Sequence, residues 1–278
     1  MTPPDKLRLG GMALANGLLV HGPTHWAAAV RTRDGEIKTA TGPKPRLRVA
    51  EKVPGVRGVL RLAEAMVVIP LVKRGLPEAR LPFQHGSVLA VTAGATVAGA
   101  VLKRRARPGV GEVGAALISV APAIFTLRAG EVAEYHGVEH KSIAAYEQDA
   151  DAGDAAKEHE RCGSHLVAPM MASNVAGTLL LRRLLDRPSA LAGGAVALAS
   201  TAVAVEAFAW AERHEASALS RAFRRPGFAI QRAVGTREPD ERQLEVGSAA
   251  LAEILRAEGA GDAVGSTPHS GARAAPPA

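Results

Sequence analysis

Hydrophobic and polar positions change rhythm along the chain. Between residues 10 and 39 the apolar runs are short: Leu18-Leu19-Val20, then Trp26-Ala27-Ala28-Ala29-Val30, with Gly10-Gly11, Gly17 and Gly22-Pro23 around them. Asp34-Gly35 separates 30–33 from 36–39, and glycine accepts the positive φ of a tight turn, so the pair predicts a hairpin. Two or three short strands are expected in a water-exposed, β-rich segment over residues 1–55. Over 56–76 the period lengthens to that of a helix, with Val59, Leu62, Ala63, Met66 and Ile69 on one stripe and Arg57, Arg61 and Glu64 off it. Such a helix either lies on a membrane surface or packs as an ordinary amphipathic helix, and with its linker it fills 56–85.

From residue 86 the pattern becomes nearly all apolar. Residues 86–102 and 166–181 carry no charge, 110–127 carry only Glu112, and 189–211 carry only Glu206. A membrane span needs roughly 17 to 25 apolar residues, which three of the runs supply; 166–181 is slightly short and calls on its flanks. The fold expected is a mainly α membrane protein: a bundle of about four transmembrane helices over 86–211, with a small N-terminal β-rich segment. A polar central loop, 128–165, divides the bundle. After it come a basic connector (223–237) and a helix capped by Asp240 with Gln243 three residues on, its face lined by Leu244, Leu251 and Leu255. These make a C-terminal helical segment over 212–258; residues 259–278, small and polar, read as a disordered tail.

Four spans return both termini to one side. Of the 34 Lys and Arg, seven (Lys103, Arg104, Arg105, Arg107, Arg182, Arg183, Arg187) fall in the two turns on one side and 27 on the other. That asymmetry predicts a multi-pass protein of the cell membrane with termini and central loop in the cytoplasm. The net charge of +7 and an aromatic content of 3% fit this picture. Basic residues flank apolar runs instead of alternating with stacking rings, so the partner expected is a bilayer with an anionic surface, and no nucleic acid. Small residues suit close packing of helices in lipid. The lone Cys162 allows no internal disulfide and fits a reducing compartment, and the polar first ten residues carry no signal-peptide core.

The chemistry concentrates in the central loop. His136-Gly137-Val138-Glu139-His140 is H-x-x-E-H. On a helix the two histidines share a face one turn apart and can hold one divalent metal, zinc foremost, while Glu139 stands where a carboxylate takes a proton from activated water. The inverted zinc-peptidase motif has this form. The ion needs more ligands. His159 and Cys162, three apart before a span, are candidates, and so is Glu206, a carboxylate within a membrane run. Glu147 falls on the histidine face if the helix continues. No phosphate loop, catalytic serine order or dinucleotide fingerprint is present, so no organic cofactor is expected.

Several strings occur together: Gly10-Gly11, Gly17 and Gly22-Pro23; Tyr135-His136-Gly137-Val138-Glu139-His140-Lys141; Ala145-Tyr146-Glu147; His159-x-Arg161-Cys162-Gly163; Thr236-Arg237-Glu238-Pro239-Asp240 with Gln243-Leu244-Glu245-Val246. In these the chain, to about residue 255, resembles the YqhQ-like family of bacterial membrane proteins, catalogued as domain of unknown function 1385 and often labelled a predicted metal-dependent enzyme. The resemblance implies a multi-span protein with a metal site and no known substrate. Met12 and Asn16 stand where that family usually has Gln and Glu, and His165 lies outside its pattern. Two functions follow: a membrane-bound metal-dependent hydrolase, with His136, His140 and one or more of His159, Cys162 and Glu206 holding the metal and Glu139 as general base; or a non-enzymatic scaffold or assembly factor with a structural metal or none. The absence of internal repeats argues against a stand-alone transporter. Substrate and oligomeric state are not legible.

Overall fold

A computed structural model describes residues 6–45, 57–185 and 188–260. The chain opens with an antiparallel meander, β1 (Gly10–Leu14), β2 (Gly17–His21), β3 (His25–Arg31) and β4 (Ile37–Pro43), paired in sequence order. The Asp34-Gly35 turn joins β3 to β4, with Gly35 at φ 86°. The sheet has four strands where two or three were expected.

Its apolar runs are continuous because both faces are covered. Leu18, Val20, Ala27 and Ala29 meet helices α5 (Val132–Gln148) and α9 (Glu241–Ala257), whereas Leu19, Trp26, Ala28 and Val30 meet α1 (Arg57–Gly75). A strand covered on one face alternates apolar with polar; one covered on both does not. In α1 the buried side is Val68, Ile69 and Val72, with Leu76 just beyond, and Met66 is half exposed. The helix therefore packs on the sheet with its C-terminal half: of the expected stripe Ile69 is buried, whereas Ala63 and Met66 are exposed. The side chains of Val59 and Leu62 fall outside the described residues, as does the expected tail beyond Ala260.

Among the described residues four helices are long and apolar enough to cross a membrane: Gly86–Arg105, Val110–Arg128, Gly163–Leu184 and Ala190–Arg213. They comprise α2 (Gly86–Arg105), α3 (Val110–Ile118) with α4 (Ala121–Arg128), α6 (Val167–Leu184) after a 3-10 turn at Gly163–Leu166, and α7 (Ala190–Arg213). The third run gains its length from that turn. The second is interrupted before Pro122, which has no N–H to continue the ladder. Helix α2 packs on α3 and α4, α6 on α7, and α3 on α6. Small residues set the close approaches: a Cβ on Gly177 would stand 2.8 Å from Val196, and one on Gly99 3.4 Å from Ala115. Large apolar side chains point outward instead, Leu191 being 85% exposed and Leu198 63%, as lipid-facing residues are. Glu112 is no stray charge: its buried carboxylate meets Arg182 of α6 at 2.7 Å.

The residues read as a basic connector are mostly helical. Ala218–Ile230 forms α8, and Gln231–Gly235 adds one π-helical turn. The strap from Gly235 to Asp240 then crosses α5 before α9 begins at its expected capping box, Asp240 with Gln243.

Candidate metal centre

Helix α5 carries the H-x-x-E-H string along one face. His136 and His140 lie a turn apart with ring centroids 4.4 Å apart. The His136 Nδ1 lies 2.8 Å from the Gly235 carbonyl and the His140 Nδ1 2.6 Å from that of Lys157. A carbonyl can only accept, so each ring carries its proton on Nδ1 and presents Nε2 as a lone pair. This is how protein carbonyls orient metal-binding imidazoles. The His140 Nε2 is buried and has no hydrogen-bond partner among the described residues, an expense that a bound cation would remove.

The third member is Cys162. It caps the 3-10 turn, and its Sγ lies 3.4 Å from the His136 Nε2 while accepting the Ser164 N–H at 3.5 Å. One ligand atom from each of His136, His140 and Cys162 falls within 4.8 Å of the others, so the cluster can hold a metal ion. Two imidazoles and a thiolate suit zinc and related soft-to-borderline ions.

The other candidates separate. His159 is close, its ring 5.6 Å from that of His140. Its Nδ1 accepts the Arg161 N–H at 3.2 Å, which puts its proton on Nε2, 3.5 Å from the Glu147 carboxylate. That ring offers no free lone pair to an ion. Burial alone would push the Glu147 carboxyl up, but His159 and the ion-paired Arg161 outweigh it and hold it below the usual carboxylate range. Glu206 lies on α7 and is not among the groups that converge. His165 is buried behind the cluster against Arg224 and Gln231. Glu139 lines the same cavity as the cluster, a space of about 420 Å³ shared with Gly11, His21 and Arg161. Gly11 makes room for it: a Cβ there would stand 2.8 Å from the Glu139 Cγ.

Sequence reasoning missed three contributors. His21 lines the cavity beside Gly10, and burial, with the charge of Lys44, pushes its pKa down to about 4. It is thus neutral at pH 7. Gln231 is fully buried and braces the ligand loop, accepting from the His159 N–H at 2.7 Å and donating to the Ser164 Oγ at 2.9 Å. The third is the Gly235 carbonyl, which no side-chain pattern can announce. Only His21 had a signal in the sequence, since it adjoins the Gly22-Pro23 string.

A family model described as a protein of unknown function, DUF1385, matches residues 114–257, just over half of the chain. His136, Glu139, His140 and Cys162 all lie within that match. No curated protein and no solved structure matches the chain.

Proposed function

Since the chain belongs to the DUF1385 family, whose description assigns no activity, we propose from its own residues that it is a membrane-bound, metal-dependent hydrolase. The observation that carries the reading is the Nε2 pair: two rings locked by carbonyls, one Nε2 at the Cys162 thiol and the other buried without a partner among the described residues, beside a cavity that holds a carboxylate. His136, His140 and Cys162 are the ligands. Three protein ligands and an open position are the mark of a catalytic zinc, whereas a structural zinc is closed by four. His159 would be the fourth in a closed site, and the engagement of both its ring nitrogens speaks against it.

Zinc bound there supplies Lewis acidity, polarising the scissile group and easing the ionisation of water. Glu139 is the general base. Among the described residues it makes no hydrogen bond or ion pair, so its carboxylate is free to take a proton from water in the cavity. The water oxygen joins the electrophilic centre, the bond to the leaving group breaks, and Glu139 returns the proton to that group. His21, neutral on the same cavity, is placed to orient the substrate by hydrogen bonding.

Metal analysis of protein purified after zinc-replete growth tests this. Wild type and Glu139→Gln should each carry about one zinc per chain, and His136→Ala and His140→Ala should have lost most of it. Equal zinc in all four, or none in the wild type, overturns the reading.

A further inference from the structure

The cluster's place along the chain bears on what it acts upon. Cys162 immediately precedes Gly163, the first residue of one candidate span, and Leu127 on the cavity wall belongs to the last turn of another, Val110–Arg128. The ligand set therefore stands where two spans leave the bilayer, with no linker to carry it into water. The cavity lining joins these polar groups to apolar side chains. His136, Glu139 and His140 occupy the middle of the α5 face with Ile143 beyond them, and Val132, one turn before His136 on that face, continues towards Leu127 as an apolar wall. A soluble polar substrate would gain nothing from such a wall, whereas an acyl chain would bury against it.

Resting on the zinc reading above, we infer that the substrate is an amphipathic lipid: an acyl chain lies against Leu127 and Val132, and the hydrolysable polar head meets the metal cluster. A membrane-resident substrate also reaches this site by lateral diffusion, which accounts for a reactive cluster built onto the ends of spans.

The test measures binding to full-length protein in nanodiscs, loaded with cobalt in place of zinc so that its visible bands report the ligand field. Two hydroxamates serve as probes, acetohydroxamic and decanohydroxamic acid, which share a metal-binding head and differ in chain. Replacement of Leu127 with Asp should weaken decanohydroxamate about tenfold or more and leave acetohydroxamate within about twofold. Leu127→Ala should show the same selectivity to a smaller degree. Because both proteins sit in the same lipid, partitioning of the probe cancels in the ratio. Unchanged cobalt bands in the unliganded variants would show that the cluster is intact. A variant with altered bands is replaced by the milder one, and Val132→Ser supplies an independent wall position. Loss of both probes alike from intact variants, or of neither, overturns the lipid inference and leaves the metal reading standing. A wild type that takes up no cobalt ends the metal reading, and the lipid inference with it.

Discussion

Gly137 is buried in the middle of the H-x-x-E-H string for a steric reason. A Cβ there would stand 2.3 Å from the Arg237 carbonyl oxygen, so the strap can cross α5 only over a residue without a side chain. The same strap brings the Gly235 carbonyl to His136 and the Arg237 N–H to the Ala133 carbonyl. Gly137→Ala should therefore cost about 1–3 kcal/mol of stability by overpacking and lower zinc affinity by displacing that carbonyl. Thermal unfolding and a competitive chelator titration on one preparation check both effects. The spacing of the histidines was legible because helix geometry fixes it; the carbonyls that set their tautomers were not, since every residue has one and only the fold selects it. The two departures from the family pattern also resolve here. Asn16 binds the Arg31 and Glu78 carbonyls and the Arg80 N–H, and so braces a turn away from the cluster. Met12 borders the cavity, although its side chain packs with the core on the α1 side.

At the scale of elements, α9 is the keystone of the sheet. Its buried stripe is Val246, Gly247, Ala250 and Ile254, with Leu255 beside it and Leu244 and Leu251 at the margin. Gly247 permits the close crossing with α5, since a Cβ there would meet Val138 at 2.4 Å. The apolar spacing located the helix, but choosing between its possible faces needed the partner surface. Just past its end Glu258 accepts hydrogen bonds from the Thr24 N–H, the Thr24 hydroxyl and the His25 N–H, each at 2.7 Å, and so closes the β2–β3 turn. Burial would raise its carboxyl, yet these donors outweigh burial and hold it below the ordinary range. Its ionised form thus stabilises the fold above the unfolded carboxylate pKa, and that contribution disappears as pH falls through the depressed folded value. Glu258→Gln should cost about 1–2 kcal/mol at pH 7, a figure already discounted for solvent exposure, and the two proteins should converge in stability under acid. Melting curves at pH 7 and below pH 4 measure the difference; an equal gap at both would contradict the assignment.

For the whole molecule, the greasy runs announced the four spans, because length and absence of charge are properties of composition. The packed sheet was less visible, since its strands lack alternation when both faces are covered. Orientation is the remaining global feature, and the charge asymmetry predicts that the sheet and the metal cluster share the cytoplasmic side. In a background with Cys162 changed to Ser, a cysteine at Asp34 should react with an impermeant maleimide only after permeabilisation, and one at Arg107 should react in intact cells. The reverse pattern would invert the topology and move the cluster to the outer face.

The hydrogen bond from His136 to Gly235 has a consequence for how the protein is made. His136, His140 and Cys162 are all synthesised before the last span, α7, but the carbonyl that fixes the His136 ring comes nearly a hundred residues after it. Until the ribosome has delivered that strap, the His136 ring lacks its carbonyl partner and the ligand loop lacks its brace at Gln231, whereas the Lys157 partner of His140 has already been made. On the reading proposed above, the ring of His136 is turned for a metal only once the segment after the last span has been made.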